Sequence, residues 1–402
     1  VLRALARETG ATEIHASART EPWARNEQDE VAGLLQRDGI AVTFHAGALL
    51  HDPDAVRTGE GGPYKVFTPF WGRLQDAVSP APPRPAPKRL SPPSQQPRSE
   101  ALDAWRLTPS QPDWAGGWRE VWSPGERGAR ARLQAFLAGP VERYAEARDF
   151  PGIDATSRLS PHLHFGEISP ATCWHAALAV ADKRSTAAGG ATAFRRELAW
   201  RDFSYHLLHH WPDLPEAPFK PEFARFAWRT DRPALTAWQR GMTGYPIVDA
   251  GMRELWHTGI MHNRVRMIVA SFLIKDLLIP WQEGEAWFWD TLVDADLASN
   301  AASWQWVAGS GADAAPYFRI FNPVKQGEKF DPDGRYVRQW VPELRELATP
   351  ALHAPWEASE GELRMAGVGL GTTYPRPIVD HGEARGRALD AYALVKAGKS
   401  AG

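Results

Sequence analysis

The sequence predicts a two-part molecule, with an incomplete α/β unit followed by a large all-α domain. The first ~75 residues alternate between helical and strand-like segments, and a proline-rich stretch follows them. From about Gly128 onward, apolar residues recur with the 3.6-residue period of amphipathic helices. A chain of 402 residues also exceeds what one hydrophobic core usually serves. We therefore predict an α/β part over 1–75, a linker over 76–128 and a helical domain over 129–402.

The N-terminal part contains two helices and two strands in alternation. We predict helices over Val1–Glu8 and Asn26–Gln36, and strands over Thr12–Ala16 and Ile40–His45. A sheet of two strands is too small to be stable alone. We therefore expect that the first strands of this sheet are missing and that the chain begins within a domain.

The connector is extended rather than packed. The stretch Ser79–Arg98 holds eight prolines in twenty residues. Such a composition gives a semi-rigid spacer.

The helical domain shows repeated 3.6-residue apolar spacing with Pro or Gly at most boundaries. Ser160–Pro161 and Ser169–Pro170 have the pattern of an N-cap followed by proline at the first helical position. The predicted helices are Ala129–Leu137, Pro170–Ala181, Ala193–His210, Pro233–Gly241, Pro246–Thr258, Ile260–Ile279 and Val379–Ala397.

Composition excludes several classes of protein. The longest apolar segment, Val265–Ile279, contains Arg266, Lys275 and Asp276, so we expect a buried helix and no membrane span. The single cysteine, Cys173, excludes a disulfide framework or an iron–sulfur site within this chain. We expect a cytoplasmic protein. A net charge of −2 means that any contact with nucleic acid depends on a local basic patch.

Two segments are suited to binding a nucleotide or a base. Thr156–Ser160 leads into a helix, where hydroxyls and N–H groups can bind phosphate, although an ordinary capped helix is the commoner meaning. Glu197, Trp200, Arg201 and Ser204 are spaced i, i+3, i+4 and i+7, so they share one helix face. That face suits a planar base, while a surface ion pair beside a buried Trp fits it equally well.

Two further segments place polar groups beside apolar ones. Asn263 and Arg266 lie one turn apart at the start of the long apolar helix, where a satisfied buried polar pair is the simpler interpretation. Asp294 to Asn300 is followed by Trp304 and Trp306. A cofactor pocket explains this cluster better than a metal site, since no histidine lies nearby in the sequence. We expect no metal.

Read together and in order, these segments resemble the photolyase/cryptochrome family, and within it the bacterial enzymes for cyclobutane pyrimidine dimers. The resemblance runs from Tyr144 to the C-terminal region, and the upstream PYKVFTPF is similar to the end of the family's N-terminal domain. The matching segments are TSRLSPHLHFGEISP, ELAWRDF, GYPIVDAGMRELWHTGIMHNRVRM, DLLIPW, DADLASN, WQWVAGSGADAAPYFRIFNPVKQGEKFD and YPRPIVDH.

The resemblance implies a Rossmann-like antenna domain joined to a helical domain that binds one FAD. It implies that Arg266 pairs with Asp294 beside the flavin, that Asp296 meets the ring or its ribityl arm, and that Asn300 lies at flavin N5. The cofactor-binding residues by matched position are Tyr144, Thr156, Ser157, Arg158, Leu159, Ser160, Arg266, Asp294, Ala295, Asp296 and Asn300.

The resemblance also implies light-driven repair of UV-damaged DNA. Glu197 would hydrogen-bond the flipped-out dimer and Trp200 would stack on it, and with Asn300 they form the catalytic set. The expected electron-transfer tryptophans are Trp304, Trp281 and Trp228. The expected DNA contacts are Arg148, Glu197, Trp200, Arg201, Asn263, Arg264, Val265, Arg266 and Met267. We expect a monomer.

The chain departs from the family at its N-terminus. A full-length form is expected to carry a methenyltetrahydrofolate-like antenna chromophore, and Glu27 matches one of its contacts. Without the first strands, we expect FAD to be retained and the antenna chromophore to be absent.

Three alternative functions remain. A cryptochrome-like photoreceptor is the main one, but Asn300 and the pair of Glu197 and Trp200 favour repair. Repair of (6-4) photoproducts is disfavoured because the segment MHNRVRM lacks paired histidines. A non-catalytic helical protein that binds nucleic acid would not need the cluster of acids, amide and tryptophans.

Overall fold

A computed structural model describes residues 1–77, 80–93, 96–314 and 318–400. The N-terminal part consists of α1 (Leu2–Thr9), β1 (Glu13–Ser17), α2 (Pro22–Arg37) and β2 (Ala41–His45). The two strands are parallel, and their pairing runs from Glu13 opposite Ala41 to Ser17 opposite His45. A small core centred on Ala6, Leu35 and Ile40 joins the strands to the helices. The four predicted elements are confirmed, with bounds that differ by at most four residues.

The segment after β2 packs against the helical part of the chain. Helix α3 (Phe67–Ala77) places Phe67, Phe70 and Leu74 in one buried cluster with Phe203 and Leu208. Residues up to 75 are therefore not all packed around the small sheet. The predicted limit at residue 75 marks a change in sequence pattern, whereas the packing changes earlier; the domain limits themselves stay a prediction.

The linker is extended at first and then lies on the helical domain. Residues 80–93 form neither helix nor strand, and 78–79 and 94–95 lie outside the described residues. Helix α4 (Gly116–Val121) sits close to the C-terminal end of a later helix. A Cβ at Gly117 would lie 2.3 Å from the His257 carbonyl oxygen. Trp122 Nε1 donates to the Thr258 carbonyl at 2.8 Å. Only glycine at position 117 permits α4 to lie this close to the His257 backbone.

The rest of the chain is helical. The helices are α5 (Glu126–Ala138), α6 (Tyr144–Ala147), α7 (Ser160–His164), α8 (Pro170–Lys183), α9 (Ala188–His210), α10 (Arg232–Gln239), α11 (Pro246–Thr258), α12 (Asn263–Ser271), α13 (Trp281–Thr291), α14 (Leu297–Ala308), α15 (Pro323–Phe330), α16 (Arg335–Trp340), α17 (Thr349–His353), α18 (Glu360–Met365) and α19 (His381–Ser400). Short 3₁₀ turns lie at Leu102–Trp105, Pro140–Arg143, Ser185–Ala187, Pro221–Arg225, Pro342–Leu344 and Pro355–Glu357.

The predicted helices are confirmed except for one. Ile260–Ile279 is not a continuous α-helix, because α12 begins only at Asn263 and a π-helical turn replaces it over Phe272–Asp276. The His262 side chain accepts a hydrogen bond from the Arg264 N–H at 3.2 Å and so caps the start. Beyond the π-turn, Leu278 has a φ of 55°, which ends the helix. Periodicity detects the buried face but not this change in hydrogen bonding.

The proline rule succeeds at one of the two predicted caps. Ser169 accepts from the Thr172 N–H at 3.1 Å and caps α8, as predicted. At α7 the N-cap is Leu159, and Ser160 is itself the first helical residue. The predicted Ser160 cap is therefore wrong by one position.

The largest core lies among α10 to α14 and the segments after them. It includes Trp238, Ile247, Phe272 and Trp304. None of the helices in the described residues is both long and apolar enough to cross a bilayer.

Candidate functional site

A cavity of about 570 Å³ opens among α9, α12, α14 and the segment 144–164. This volume is typical of a site for a cofactor or other organic ligand. All four sequence segments that were predicted to bind a ligand contribute residues to this cavity. The predicted residues on its wall are Tyr144, Arg148, Thr156, Ser157, Arg158, Leu159, Ser160, Glu197, Trp200, Arg201, Asn263, Arg266, Met267, Asp294, Ala295, Asp296, Asn300 and Trp304.

The predicted face of α9 is the face that turns toward the cavity. Glu197, Trp200, Arg201 and Ser204 all line it. Helical spacing therefore identified these neighbours correctly. The opposite side of α9 is buried within the protein through Ala199 and His206, which do not line the cavity.

An ion pair on the cavity wall joins Arg266 to Asp294. Arg266 Nη2 lies 3.0 and 2.9 Å from the two Asp294 oxygens, and its Nε donates to the Met261 carbonyl at 2.7 Å. The Asp294 side chain is only 4% exposed. Because one nitrogen contacts both carboxylate oxygens while Nε is held by the backbone, the pair is fixed in orientation as well as in charge.

Asp296 lies two residues further on and caps α14. Its Oδ1 accepts from the Ser299 N–H at 2.7 Å, and its Oδ2 accepts a hydrogen bond from the Tyr205 hydroxyl. Burial acts to raise the pKa of this carboxyl, but His164, Arg201 and Tyr205 outweigh it and lower the pKa to about 2. Asp296 is therefore a buried anion at neutral pH.

Asn300 follows one turn after Asp296 on α14. Its Nδ2 donates to the Glu285 carbonyl at 2.9 Å, and the residue is 9% exposed. This bond sets the orientation of the amide, so its oxygen can accept a hydrogen bond from a ligand in the cavity.

The mouth of the cavity carries a second ion pair and an aromatic stack. Arg148 Nη1 forms a short ion pair with Glu197, whose side chain is 31% exposed. The Trp200 ring stacks on Phe67 with centroids 3.7 Å apart and an angle of 11° between the rings. Glu197 and Trp200, which were predicted to meet a base, thus both lie at the mouth of the cavity, and each already has a partner within the protein.

The predicted DNA contacts differ in how available they are. Arg264 pairs with Asp149 at 2.7 Å, and Arg201 Nη1 donates to the Ala48 carbonyl at 2.6 Å. Val265 is fully buried, and a Cβ at Gly251 would lie 2.4 Å from its Cγ1. Val265 lies on the side of α12 that faces the core, so its side chain does not reach the surface. The prediction that it contacts DNA is therefore not supported.

The three predicted electron-transfer tryptophans lie at different depths. Trp304 lines the cavity, and Trp304 and Trp281 are each 2% exposed. Trp228 is partly buried and packs against the core that contains the other two. A Cβ at Gly284, one turn after Trp281, would lie 2.1 Å from the Trp304 ring. Helix α13 thus brings Trp281 toward Trp304 through a glycine.

Some residues at the site carry no sequence signal. Tyr205, Glu285 and His164 surround Asp296 and Asn300 through contacts between distant segments. The i, i+4 spacing of Arg201 and Tyr205 could have suggested their contact, but nothing pointed to Asp296 as the partner of Tyr205.

The wall also carries polar atoms that are available to a ligand. Among the described residues, neither His262 Nε2 nor His164 Nδ1 has a hydrogen-bond partner, although both are buried and His164 Nδ1 lies 3.7 Å from an Asp296 oxygen. Burial lowers the pKa of His262 to about 4, and its Nδ1 accepts from the Arg264 N–H, so the ring is neutral and its Nε2 carries the proton. A large cavity with oriented acids, an amide and free donors fits a polar cofactor with a flat ring.

One group outside the cavity has metal-ligand geometry. Asp54, His209 and His210 present ligand atoms within 4.8 Å of one another. However, Arg57 already pairs with the Asp54 carboxylate, and Arg25 lies 3.3 Å from His209 Nδ1. Two guanidinium groups oppose a further cation, so we assign no metal here.

Two family models match the chain. A model described as the FAD binding domain of DNA photolyase matches residues 194–394, and a model described as DNA photolyase matches residues 1–88. The first match contains the α9 face, the Arg266–Asp294 pair, Asp296 and Asn300.

Individual relatives resemble nearly the whole chain. The deoxyribodipyrimidine photo-lyase of Agrobacterium fabrum is 54% identical over 396 residues, which cover 98% of this chain and 82% of that protein. The Escherichia coli protein of the same name is 41% identical over 409 residues, covering 99% of this chain and 82% of that protein. The crystal structure of a bacterial class III photolyase from Agrobacterium tumefaciens has a TM-score of 0.95 at 54% identity, covering 98% of this chain and 82% of that one.

Proposed function

Since the chain belongs to the DNA photolyase family and is a deoxyribodipyrimidine photo-lyase that uses FAD to repair pyrimidine dimers in DNA, we propose how its cavity divides that task. The deep wall holds the cofactor, and the mouth holds a dimer flipped out of the duplex. The observation that carries this division is the convergence of both predicted sets of residues on one cavity.

The residues from 144 to 160 are proposed to hold the phosphate end of the cofactor. Tyr144, Thr156, Ser157 and Ser160 present hydroxyl groups on the same wall, and Arg158 adds a positive charge. Arg158 has a φ of 49°, so the turn before α7 directs successive residues toward the cavity. Hydroxyl groups and a guanidinium are suited to a diphosphate.

The Arg266–Asp294 pair, Asp296 and Asn300 are proposed to orient the flavin ring. When bound and reduced, FAD supplies the electron that splits the dimer. Arg266 places a positive charge beside the ring, which favours a negatively charged reduced form. The Asn300 oxygen can accept from a ring N–H without adding a charge, because Glu285 holds its amide nitrogen.

Glu197 and Trp200 are proposed to bind the dimer. Flipping a base pair out of DNA requires a stacking wall and a hydrogen-bonding group in the pocket. Trp200 rests on Phe67, so its position is fixed before substrate arrives. Glu197 can turn to the dimer only when it releases Arg148, which is then free to meet a phosphate.

The remaining DNA contacts are proposed for the rim of the cavity. Asn263, Arg266 and Met267 line it together with Arg201, whereas Arg264 lies next to it. Arg201 and Arg264 each have a partner within the protein. A few such groups are sufficient for an otherwise weakly acidic protein, since phosphate contacts add up locally.

Trp304, Trp281 and Trp228 are proposed to carry electrons between the surface and the cofactor. Trp304 lies on the wall, Trp281 behind it and Trp228 nearer to solvent. Residues 1–75 are proposed to belong to an antenna domain, with two parallel strands as support.

The test is an absorption spectrum of the purified protein mixed with a thymine-dimer oligonucleotide, taken before and after blue light. We expect flavin bands in the starting protein and a rise at 260 nm as thymine absorbance returns, as expected for any light-driven dimer splitting. Protein that binds flavin but leaves the dimer intact under light would contradict the proposed division.

A further inference from the structure

Asp296 receives hydrogen bonds from two separate elements. The Ser299 N–H reaches its Oδ1 at 2.7 Å from within α14. The Tyr205 hydroxyl, on α9, donates to its Oδ2. The two bonds satisfy both oxygens, so the carboxylate has one orientation relative to the cavity.

Tyr205 is in turn held by Arg201. The Arg201 Nη2 lies 3.3 Å from the Tyr205 oxygen, and the guanidinium carbon lies 4.6 Å from the centre of the tyrosine ring. The other arm of Arg201 donates to the Ala48 carbonyl at 2.6 Å. The hydroxyl therefore accepts from a cation and donates to an anion, which strengthens both bonds.

Asp296 has a cation and a histidine ring among its neighbours. Arg201 on α9 lowers the pKa of the Asp296 carboxyl through its charge, and His164 Nδ1 at the end of α7 lies 3.7 Å from the Asp296 oxygen. Asp296 is 8% exposed and Tyr205 is 7% exposed, so water contributes little to their solvation. In such a place the Tyr205 O–H, together with His164 and Arg201, compensates for the negative charge of Asp296.

We propose that Tyr205 is a positioning residue that acts on the flavin through Asp296, orienting this carboxylate and partly neutralising its field at the ring. The proposal rests on the proposed placement of the flavin beside Asp296. Tyr205 lies behind the acid, and its hydroxyl directs the positive end of its dipole toward the carboxylate. With that dipole removed, the ring experiences a more negative environment, so adding negative charge by reduction becomes less favourable.

The test is a double-mutant cycle on the midpoint potential of bound FAD at pH 8, where Asp296 is ionised. We expect Tyr205→Phe to keep FAD content and to shift the potential to a more negative value. In the Asp296→Asn background, the same substitution should leave the potential unchanged, because no charge remains to be compensated.

Tyr374→Phe is the matched control. Tyr374 is also buried and donates to an aspartate, Asp249, at 2.7 Å, but neither residue lines the cavity. It should cost comparable stability, measured by thermal unfolding, and leave the flavin potential unaltered.

The failures are distinguishable. An equal shift in both Asp296 backgrounds, or no shift in either, would mean that Tyr205 acts only through packing and would overturn the proposal. If Asp296→Asn alone changes neither FAD binding nor potential, the flavin does not lie beside Asp296, and that part of the proposed function fails as well.

Discussion

The deep wall and the mouth of the cavity use the same kinds of side chain in different ways. On the wall, Asp294 and Asp296 are almost fully buried and are held by Arg266, Tyr205 and backbone donors. At the mouth, Arg148 is as buried as Arg266 on the wall, at 22% and 26% exposed, but its partner Glu197 is 31% exposed where Asp294 is 4% exposed. The wall is therefore fixed by internal bonds, whereas the mouth is closed by a contact that water can replace.

The difference between wall and mouth matches the different residence times of the two proposed ligands, the cofactor and the DNA substrate. A resident cofactor benefits from a site whose orientation is set in advance, and buried pairs provide that at a high cost if one partner is lost. A passing substrate needs groups that can leave their partners, and an ion pair whose acid is partly exposed to water opens more easily than a buried one. Four predictions test whether the two regions separate in this way.

The largest effect is expected on the wall. Arg266→Met leaves Asp294 buried without a partner, which costs roughly 3–5 kcal/mol of unfolding free energy for such a group. FAD content should fall with it. The measurement is chemical unfolding together with the flavin-to-protein absorbance ratio. Arg253→Met breaks the Arg253–Glu343 pair, whose acid is 22% exposed and which does not line the cavity; this control should keep its FAD. Equal losses of stability and of FAD in both variants would show that the Arg266–Asp294 pair is no more important for the cofactor than a pair outside the cavity.

The second prediction separates photoreduction from repair. Trp304→Phe should block light-driven reduction of bound oxidised FAD, because the wall loses its electron donor, while chemically reduced protein should still repair dimers. The readout is the flavin spectrum during illumination. Trp256→Phe, at an exposed stacked tryptophan, serves as the control. Full photoreduction by Trp304→Phe would show that another residue donates.

The third prediction concerns the mouth. Trp200→Ala should weaken binding of dimer-containing DNA by roughly 1–3 kcal/mol, the range for one lost base–aromatic stack. FAD content should stay constant, since Trp200 rests on Phe67 and not on the acids of the wall. The measurement is a titration with lesion and undamaged duplexes. Loss of flavin without loss of lesion affinity would make Trp200 part of the wall.

Several of these residues were predictable from the sequence. The i, i+3, i+4, i+7 spacing placed Glu197, Trp200, Arg201 and Ser204 on one face, and the structure brings all four to the cavity. The Arg266–Asp294 pair followed from the family resemblance. Helical spacing could not have predicted it, because the two residues lie on segments that are far apart in the chain.

Other contacts were not predictable, because they join segments that are far apart in the chain. Nothing local relates Arg148 to Glu197, Trp200 to Phe67 or Tyr205 to Asp296. The helix break after Ser271 depends on backbone hydrogen bonding, which apolar periodicity does not report. Val265 was assigned to DNA with its neighbours, although its own helix position turns it to the core.

The smallest effect is a pH dependence behind the wall. Burial raises the pKa of Glu285 to about 8, and its Oε1 has no partner among the described residues. In the unfolded chain a Glu titrates near ~4.3, so between about pH 4.3 and 8 unfolding releases a proton and stability falls as the pH rises. Glu285→Gln should remove this fall, making the variant relatively more stable at pH 8 than at pH 5. The unfolding free energy of both proteins is measured by denaturant unfolding across this pH range. Parallel pH profiles would show that Glu285 is exposed to water and that its pKa is not raised.

The division between wall and mouth is tested most directly by a crystal structure of the FAD-bound protein with a dimer-containing duplex. Substrate should open only the mouth, so we expect Glu197 to leave Arg148 and meet the flipped-out dimer against Trp200. The Arg266–Asp294 pair and the Tyr205–Asp296 bond should keep their present geometry. An intact Arg148–Glu197 pair with the dimer bound elsewhere, or a wall rebuilt on binding, would contradict this account.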